Sequence, residues 1–266
     1  MNILEAVILG IVQGLTEFLP ISSSGHLVLF QKLFGMNGPM LSFDVILHLG
    51  TLIAVVIVFW RDILEILKKP LQNITYMLIA ATIPAVIAGL LFDKQIEAMF
   101  DGGISLAIGF IITGFLLIYS DRIKNTKKQD KDISFTDAIV IGCMQALAIA
   151  PSISRSGSTI TAGLYRGLSR ETAARFSFLL SIPAILGAAV LTAKDIMEAP
   201  GGAAGFLSAG ALPLVFGFLA ALLSGYLSIR FMLNLIKKSK LSRFGYYVFV
   251  LAGFILADIF IKRRFF

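Results

Sequence analysis

Apolar stretches long enough to cross a bilayer recur along this chain, at about 43–60, 74–92, 104–120, 176–193, 207–229 and 245–261. Because about 20 apolar residues in a helix span the hydrocarbon core of a membrane, each stretch predicts a transmembrane helix. Two other apolar segments, 1–42 and 135–175, are interrupted by proline and by clusters of serine and threonine. The pattern therefore predicts six spanning helices and two broken segments.

The two broken segments carry the same polar motif in the same register. Five residues of the first segment recur 132 positions later: Gly10, Gln13, Ser22, Ser24 and Gly25 correspond to Gly142, Gln145, Ser154, Ser156 and Gly157. Such a repeat in an apolar chain predicts two related halves that meet at a polar site inside the membrane. We predict one membrane domain over residues 1–266, with repeat one at about 1–121 and repeat two at about 135–262.

A proline is expected to break each of these segments into two helices. Proline cannot donate to the helical hydrogen-bond ladder, so a helix over about 4–18 should stop before Pro20, and a short helix should follow over about 26–33. The second copy should stop at Pro151 and restart at 156–159. Broken backbone in a membrane is tolerated where it lines a polar cavity, and helix N-termini there are suited to binding anions.

Composition agrees with a membrane protein, since 57% of the residues are hydrophobic, 15% are charged and the mean hydropathy is +0.88. The net charge of +7 lies mainly in connecting loops, where it indicates topology, and we expect no nucleic-acid partner. Basic residues are concentrated in loops 61–73, 121–134 and 230–243, which are predicted to be cytoplasmic. Loops 93–103 and 194–206 are more acidic and are predicted to lie outside.

This charge pattern predicts an all-α integral membrane protein with two inverted-topology repeats. Each repeat would be a re-entrant helical hairpin followed by three transmembrane helices, and the two hairpins would enter from opposite faces. In a competing arrangement both hairpins cross the membrane fully, which changes the positions of the chain ends but keeps the repeat.

Ionisable residues in the broken segments are the candidates for chemistry. Gln13 and Glu17 are four residues apart and share a helix face, and a carboxylate in an apolar segment is a functional candidate because its burial is costly. Glu17 could bind a divalent cation together with Gln13, act as a base, or pair with Arg155 for packing alone. His26 follows Ser23 by three residues, close enough for contact between a base and a hydroxyl. Arg155, flanked by serines, is suited to binding phosphate.

A second pair of polar residues lies at the start of the first predicted span. Asp44 and His48 are again four residues apart, and either extend the polar site or form a structural pair. The sequence leaves both interpretations open.

Two segments resemble the signatures of the bacterial undecaprenyl-diphosphate phosphatases, the bacitracin-resistance family. Gln13-Gly-Leu-Thr-Glu17-Phe-Leu-Pro20-Ile-Ser-Ser-Ser-Gly25-His26 resembles the first signature, which has Glu or Gln, three residues, and Glu. Residues 151–159, Pro-Ser-Ile-Ser-Arg-Ser-Gly-Ser-Thr, resemble the second, Pro-Gly-x-Ser-Arg-Ser, two residues, Thr. Ser152 stands where the family has glycine, which puts only the geometry of that turn in doubt.

The resemblance implies hydrolysis of undecaprenyl diphosphate to undecaprenyl phosphate and inorganic phosphate, which recycles the lipid carrier of cell-wall polymers and confers bacitracin resistance. It also implies a divalent cation, Mg²⁺ or Ca²⁺, and a site in the bacterial plasma membrane that opens to the extracytoplasmic side. The expected partners are a prenyl diphosphate lipid as substrate and membrane lipids. The sequence does not determine the oligomeric state, and a homodimer is one candidate.

Roles for this chemistry are assigned to two sets of residues. The catalytic set is Glu17, Ser23, His26 and Arg155. The substrate-binding set is Gln13, Ser22, Ser24, Ser154, Ser156, Gly157 and Thr159. Ser23 is the predicted nucleophile, His26 or Glu17 would take its proton, and His26 as nucleophile is the alternative. The rival class is a secondary transporter or lipid flippase, because inverted repeats with broken helices are typical of transporters.

Overall fold

The computed structural model describes residues 1–36, 40–100, 102–124, 126–198, 210–262 and 265–266. Regular structure within these ranges is helical, apart from one isolated bridge between Lys128 and Leu168. The α-helices are α1 (Ile3–Phe18), α2 (Ser23–Leu33), α3 (Leu41–Val58), α4 (Trp60–Lys68), α5 (Asn73–Phe100), α6 (Gly103–Ser120), α7 (Phe135–Leu147), α8 (Arg155–Tyr165), α9 (Arg170–Glu198), α10 (Ala211–Lys238) and α11 (Ser242–Ala257).

Five of the described helices are long and apolar enough to cross a membrane, at Asn73–Phe92, Gly103–Ser120, Arg170–Met197, Ala211–Lys238 and Ser242–Ile261. A sixth span is formed if α3 and α4 are counted together, although they meet at an angle of 74°. The predicted multi-pass, all-α membrane protein is thus confirmed. Positions 207–209 of the predicted span 207–229 lie outside the described residues, and the short helix α4 was not predicted.

The two broken segments fold as helical hairpins, α1 with α2 and α7 with α8. Helix α1 ends at Phe18 as predicted, but α7 already ends at Leu147, four residues before Pro151. The second helix of each hairpin begins earlier than expected because serine caps set its start. Ser22 and Ser154 are the N-caps, and their hydroxyls accept from the N–H groups of Gly25 and Gly157.

Each hairpin packs against a helix of the other half of the chain. Helix α1 lies along α10, and α7 lies along α5. Glycines allow both approaches, since a Cβ at Gly14 would fall 2.5 Å from the Ala221 carbonyl oxygen, and one at Gly142 would collide with the Ala81 carbonyl. This exchange fits an inverted repeat, which itself stays a prediction.

Two carboxylates, Asp121 and Asp137, connect the loops at one end of the bundle. Asp121 accepts from the N–H groups of Leu241 and Ser242 at 3.0 and 2.9 Å and from Arg170 at 3.1 Å. These contacts join α6, α9 and α11.

Asp137, in the first turn of α7 and outside the spanning helices, has a similar set of donors. It accepts from Lys128 Nζ and from Arg166 Nε, each at 2.8 Å, and from the N–H of Ser134 at 3.0 Å. Burial alone would raise the pKa of Asp137, but these donors outweigh it and hold that pKa at about 2. The carboxylate therefore stays ionised and binds the 121–134 loop to the second hairpin.

Candidate active site

Glu17 is the centre of the polar site. It lies in the last turn of α1, four residues after Gln13, and both side chains are buried. The amide of Gln13 donates from Nε2 to Glu17 Oε2 at 3.2 Å, so the predicted shared face is confirmed. The other amide atom, Gln13 Oε1, is buried and has no hydrogen-bond partner within the protein.

Arg155 joins the second hairpin to the first. It is the first residue of α8, and its Nη2 donates to Glu17 Oε1 at 2.5 Å across a sequence separation of 138 residues. Its Nη1 donates to the carbonyl of Ser177 in α9 at 3.4 Å. The two charged side chains are only 15% and 8% exposed. The Glu17–Arg155 pair considered from the sequence is therefore present. It coincides with the candidate phosphate site, because Arg155 is also the predicted phosphate ligand.

Ser23 contacts the same carboxylate. Its hydroxyl donates to Glu17 Oε2 at 2.5 Å, so the predicted nucleophile and a candidate base are in hydrogen-bond contact. The neighbouring hydroxyls of Ser22 and Ser24 lie 3.2 Å apart. Ser23 and Ser24 are half-buried, whereas Ser22 is buried.

In the second hairpin the hydroxyls of Ser154, Ser156 and Thr159 are buried and bonded to other groups of the protein. Ser156 donates to the carbonyl of Leu19 at 3.1 Å, and the Ser154 and Ser156 hydroxyls lie 3.3 Å apart. Thr159 lies 2.6 Å from the Ser177 hydroxyl and donates to the Arg155 carbonyl at 2.8 Å. These contacts fix the start of α8 beside the end of α1 and so hold Arg155 in place.

The turn before α8 places Ser152, which stands where the family signature has glycine, in a left-handed conformation. Ser152 has φ +60°, the left-handed region that glycine enters most easily. Thr113 in α6 stabilises this turn, since its hydroxyl donates to the Ser152 carbonyl at 3.0 Å and accepts from the Ser154 N–H at 2.9 Å. Serine therefore occupies here a turn conformation that glycine would adopt more easily.

His26 has other partners than those the sequence suggested. Its Nδ1 lies 2.6 Å from the Ser22 carbonyl oxygen, and its Nε2 lies 2.9 Å from the Tyr247 hydroxyl in α11. The hydroxyl of Ser23 is bonded to Glu17 instead. The expected contact between His26 and Ser23 is therefore not made here, and Tyr247 is a neighbour that sequence reasoning missed.

His48 lies on the other side of Glu17, with Nε2 3.9 Å from Oε2. Its Nδ1 donates to the backbone carbonyl of Asp44 at 2.7 Å, while the Asp44 carboxyl accepts from Gln31 at 2.8 Å. The two side chains are therefore not paired with each other. The sequence left open whether Asp44 and His48 form a structural pair or extend the polar site. His48 extends the polar site around Glu17.

The donor set for a cation consists mainly of oxygen atoms. The described residues contain no cluster of three or more His, Cys, Asp or Glu side chains able to hold a metal. The Glu17 carboxylate and the unpartnered Gln13 Oε1 are nevertheless close together, and hard cations prefer such oxygens. These two residues fit a cation that takes its remaining ligands from water and substrate.

Comparison with known proteins places the chain in one family. Residues 6–254 match the family model described as bacitracin resistance protein BacA. The chain is 51% identical over 256 residues to an undecaprenyl-diphosphatase of Carboxydothermus hydrogenoformans, which covers 96% of this chain and 97% of that protein. It is 42% identical over 264 residues to an undecaprenyl-diphosphatase of Halothermothrix orenii, covering 98% and 100%. With a Glu17–Ser23–Arg155 cluster in its two signature segments and a match over nearly its whole length, the chain belongs to the bacitracin resistance protein BacA family.

Proposed function

We propose that this protein hydrolyses undecaprenyl diphosphate to undecaprenyl phosphate and inorganic phosphate. The observation that carries the proposal is the buried cluster in which Ser23 donates to Glu17 at 2.5 Å while Arg155 binds the other oxygen of that carboxylate. A nucleophile, a base and a cationic phosphate ligand converge there inside a membrane protein, where a lipid diphosphate has to be reached. A transporter needs to bind its cargo but has no need for an activated hydroxyl.

The first chemical step is assigned to Ser23 and Glu17. Ser23 Oγ attacks the terminal phosphorus and gives its proton to Glu17 Oε2, and the bond from that phosphorus to the bridging oxygen breaks. Glu17 then gives this proton to the bridging oxygen of the departing undecaprenyl phosphate, and a phosphoserine remains. Water attacks this phosphorus and gives a proton to the carboxylate of Glu17. Glu17 returns that proton to Ser23 Oγ as the bond from phosphorus to Oγ breaks, so inorganic phosphate and free Ser23 are formed.

Arg155 stabilises the negative charge of the diphosphate. In the structure its guanidinium is held by Glu17 and by the Ser177 carbonyl, so its position is fixed before substrate arrives. Phosphate oxygens can then bind the remaining N–H donors of the guanidinium and the helix start of α8. Such preorganised donors contribute most where charge develops during phosphoryl transfer.

Glu17 and Gln13 are the residues that would hold a divalent cation, Mg²⁺ or Ca²⁺. The unpartnered Gln13 Oε1 beside the Glu17 carboxylate supports this assignment. When bound, the cation would neutralise part of the diphosphate charge. Glu17 would then have two tasks, since its Oε2 also receives the Ser23 hydroxyl.

We also propose a bacterial plasma-membrane location with the site open to the extracytoplasmic side. The positive-inside rule supports a cytoplasmic position for loops 61–73, 121–134 and 230–243, which hold most of the basic residues, and the resemblance to the family implies the extracytoplasmic opening of the site. Asp121 and Asp137 bind basic side chains at that end of the bundle.

The test is phosphate release from undecaprenyl diphosphate by detergent-purified protein, with and without EDTA. Wild type should release phosphate in added Mg²⁺ or Ca²⁺, and EDTA should abolish the release. Arg155→Ala and Ser23→Ala should each lose at least about 10²-fold in rate. Arg230→Ala, which removes an exposed arginine that contacts Tyr226, is the matched control and should keep its rate.

Two outcomes would contradict the proposal. If Ser23→Ala kept more than about a tenth of the wild-type rate, Ser23 would not be the nucleophile, and His26 would be tested next. If folded wild type released no phosphate in several detergents with added cation, the transporter alternative would replace the enzyme.

A further inference from the structure

The proton of the His26 ring can be located from its partners. Nδ1 lies 2.6 Å from the Ser22 carbonyl oxygen, and a carbonyl oxygen can only accept a hydrogen bond. Nδ1 must therefore carry the proton. In the neutral ring this leaves a lone pair on Nε2.

Tyr247 is the group that faces this lone pair. Its hydroxyl lies 2.9 Å from Nε2, and because Nε2 accepts, the hydroxyl donates. The contact joins α2 in the first hairpin to α11, across 221 residues of sequence. Through this contact α11 reaches His26, a predicted catalytic residue.

The surrounding rings prevent His26 from turning. The Phe110 ring meets it edge-on at 89° with centroids 5.5 Å apart, and the Tyr247 ring is nearly parallel to it at 15° and 5.7 Å. His26 is 2% exposed and Phe110 is fully buried. Rotation of the imidazole would break both of its hydrogen bonds in a closely packed environment, so its tautomer and orientation are fixed together.

We propose that Tyr247 is a positioning residue for His26, which holds the imidazole in one orientation as the Nδ1–H tautomer. Nε2 is then the ring nitrogen that carries the lone pair, so under either role considered for His26, proton acceptor or nucleophile, the Tyr247 hydroxyl must turn its hydrogen away before Nε2 reacts. A phenol hydroxyl can donate to the bare Nε2 and can accept from it once Nε2 is protonated. Phenylalanine can do neither, although it keeps the ring packing.

The decisive variant is Tyr247→Phe, with Tyr246→Phe as the matched control. Tyr246 is the adjacent residue and is 62% exposed, so loss of its hydroxyl should change nothing at His26. In the phosphate-release assay, which depends on the proposed function and on His26 acting in it as proton acceptor or nucleophile, Tyr247→Phe should lower kcat about 10- to 100-fold with little change in KM, as when a metal-bound histidine loses its hydrogen-bonded partner. Equal rates for the two variants would overturn the proposal.

A double-mutant comparison tests whether Tyr247 acts through His26. In a His26→Ala background, Tyr247→Phe should cause no further loss, because the group it orients is absent. A loss of the same size in both backgrounds would show that Tyr247 acts elsewhere, and the proposal would fall.

Nitrogen NMR gives a measurement that does not depend on catalysis. The chain contains two histidines, so ¹⁵N-histidine labelling yields signals from His26 and His48, which His48→Ala separates. Wild type should show a protonated Nδ1 and a hydrogen-bonded bare Nε2 at His26, and Tyr247→Phe should move the Nε2 signal toward its unbonded position. An Nε2 signal that ignores the loss of the hydroxyl would refute the inference. This result stands even if wild type releases no phosphate, so the two proposals can fail separately.

Discussion

Gly14 sets how closely α1 approaches α10, and an alanine there should disturb both stability and activity. An added Cβ would lie 2.5 Å from the Ala221 carbonyl oxygen and 2.6 Å from the Gly225 nitrogen, and it would collide with Ser224 Oγ. Ordinary Cβ contacts begin near 3.4 Å, so the backbones must separate by roughly 1 Å. Overpacking of this kind costs about 1–3 kcal/mol.

The functional effect follows from the position of Gly14, one helical turn before Glu17. A shift of roughly 1 Å in a catalytic group can cost on the order of 10²-fold in rate. We therefore expect Gly14→Ala to lower both the apparent Tm and kcat, even in the fraction of protein that remains folded. For a chain of this size the Tm should fall by about 3–10 °C.

The measurement is thermal unfolding in detergent together with phosphate release at a temperature below the transition. Gly89→Ala is the control, because apart from the adjacent residues and the backbone of its own helix no atom of the described residues lies within 4 Å of the Cβ position there. In a helix interior that exchange is favourable by up to about 1 kcal/mol, so its Tm should stay level or rise. If Gly14→Ala matched Gly89→Ala in both Tm and rate, the close crossing of α1 and α10 would be disproved.

Two other substitutions test the turn and the loop contacts. Ser152→Gly should raise the apparent Tm by a few degrees and keep activity. It relieves a left-handed backbone conformation that costs about 1 kcal/mol for a residue other than glycine, and it removes a buried hydroxyl without a partner. A lower Tm in the unfolding assay would contradict this. The pKa of Asp137 is about 2 against an ordinary 3.8, so its contacts stabilise the protein above about pH 4 and lose that effect as the pH falls toward 2. Asp137→Asn should therefore unfold at a lower temperature than wild type at about pH 7, and the gap should narrow in acid; a gap that is independent of pH would refute the ion-pair account.

Residues close together in sequence account for most of what the chain alone predicted correctly. The spans follow from long apolar stretches, and the face shared by Gln13 and Glu17 follows from helical spacing. The meeting of Glu17 with Arg155 also follows, because costly buried charges of opposite sign in two related segments are best satisfied by each other.

Long-range neighbours without a distinctive sequence could not be predicted. Tyr247 and Thr113 lie in apolar helices outside the repeated motif, and their roles depend on which helices pack together. Helix α7 ends early for a related reason, since the Ser154 cap and its contacts with α6 decide where the turn lies. The helix-breaking effect of Pro151 alone therefore does not predict where α7 ends.

The exchange of hairpins between the halves also constrains how the protein can be made. During synthesis Glu17 emerges 138 residues before Arg155, and α1 emerges long before α10, on which it packs. Until the second half is made, Glu17 lacks Arg155 as its counterion and α1 lacks α10, against which it packs. Lipid cannot replace either contact, because a charged side chain is costly in a membrane. The first hairpin therefore reaches its final place only when the second half has been inserted. A chain truncated after α6 would leave Glu17 without its counterion, and the quality-control machinery of the membrane would recognise that chain as incompletely folded.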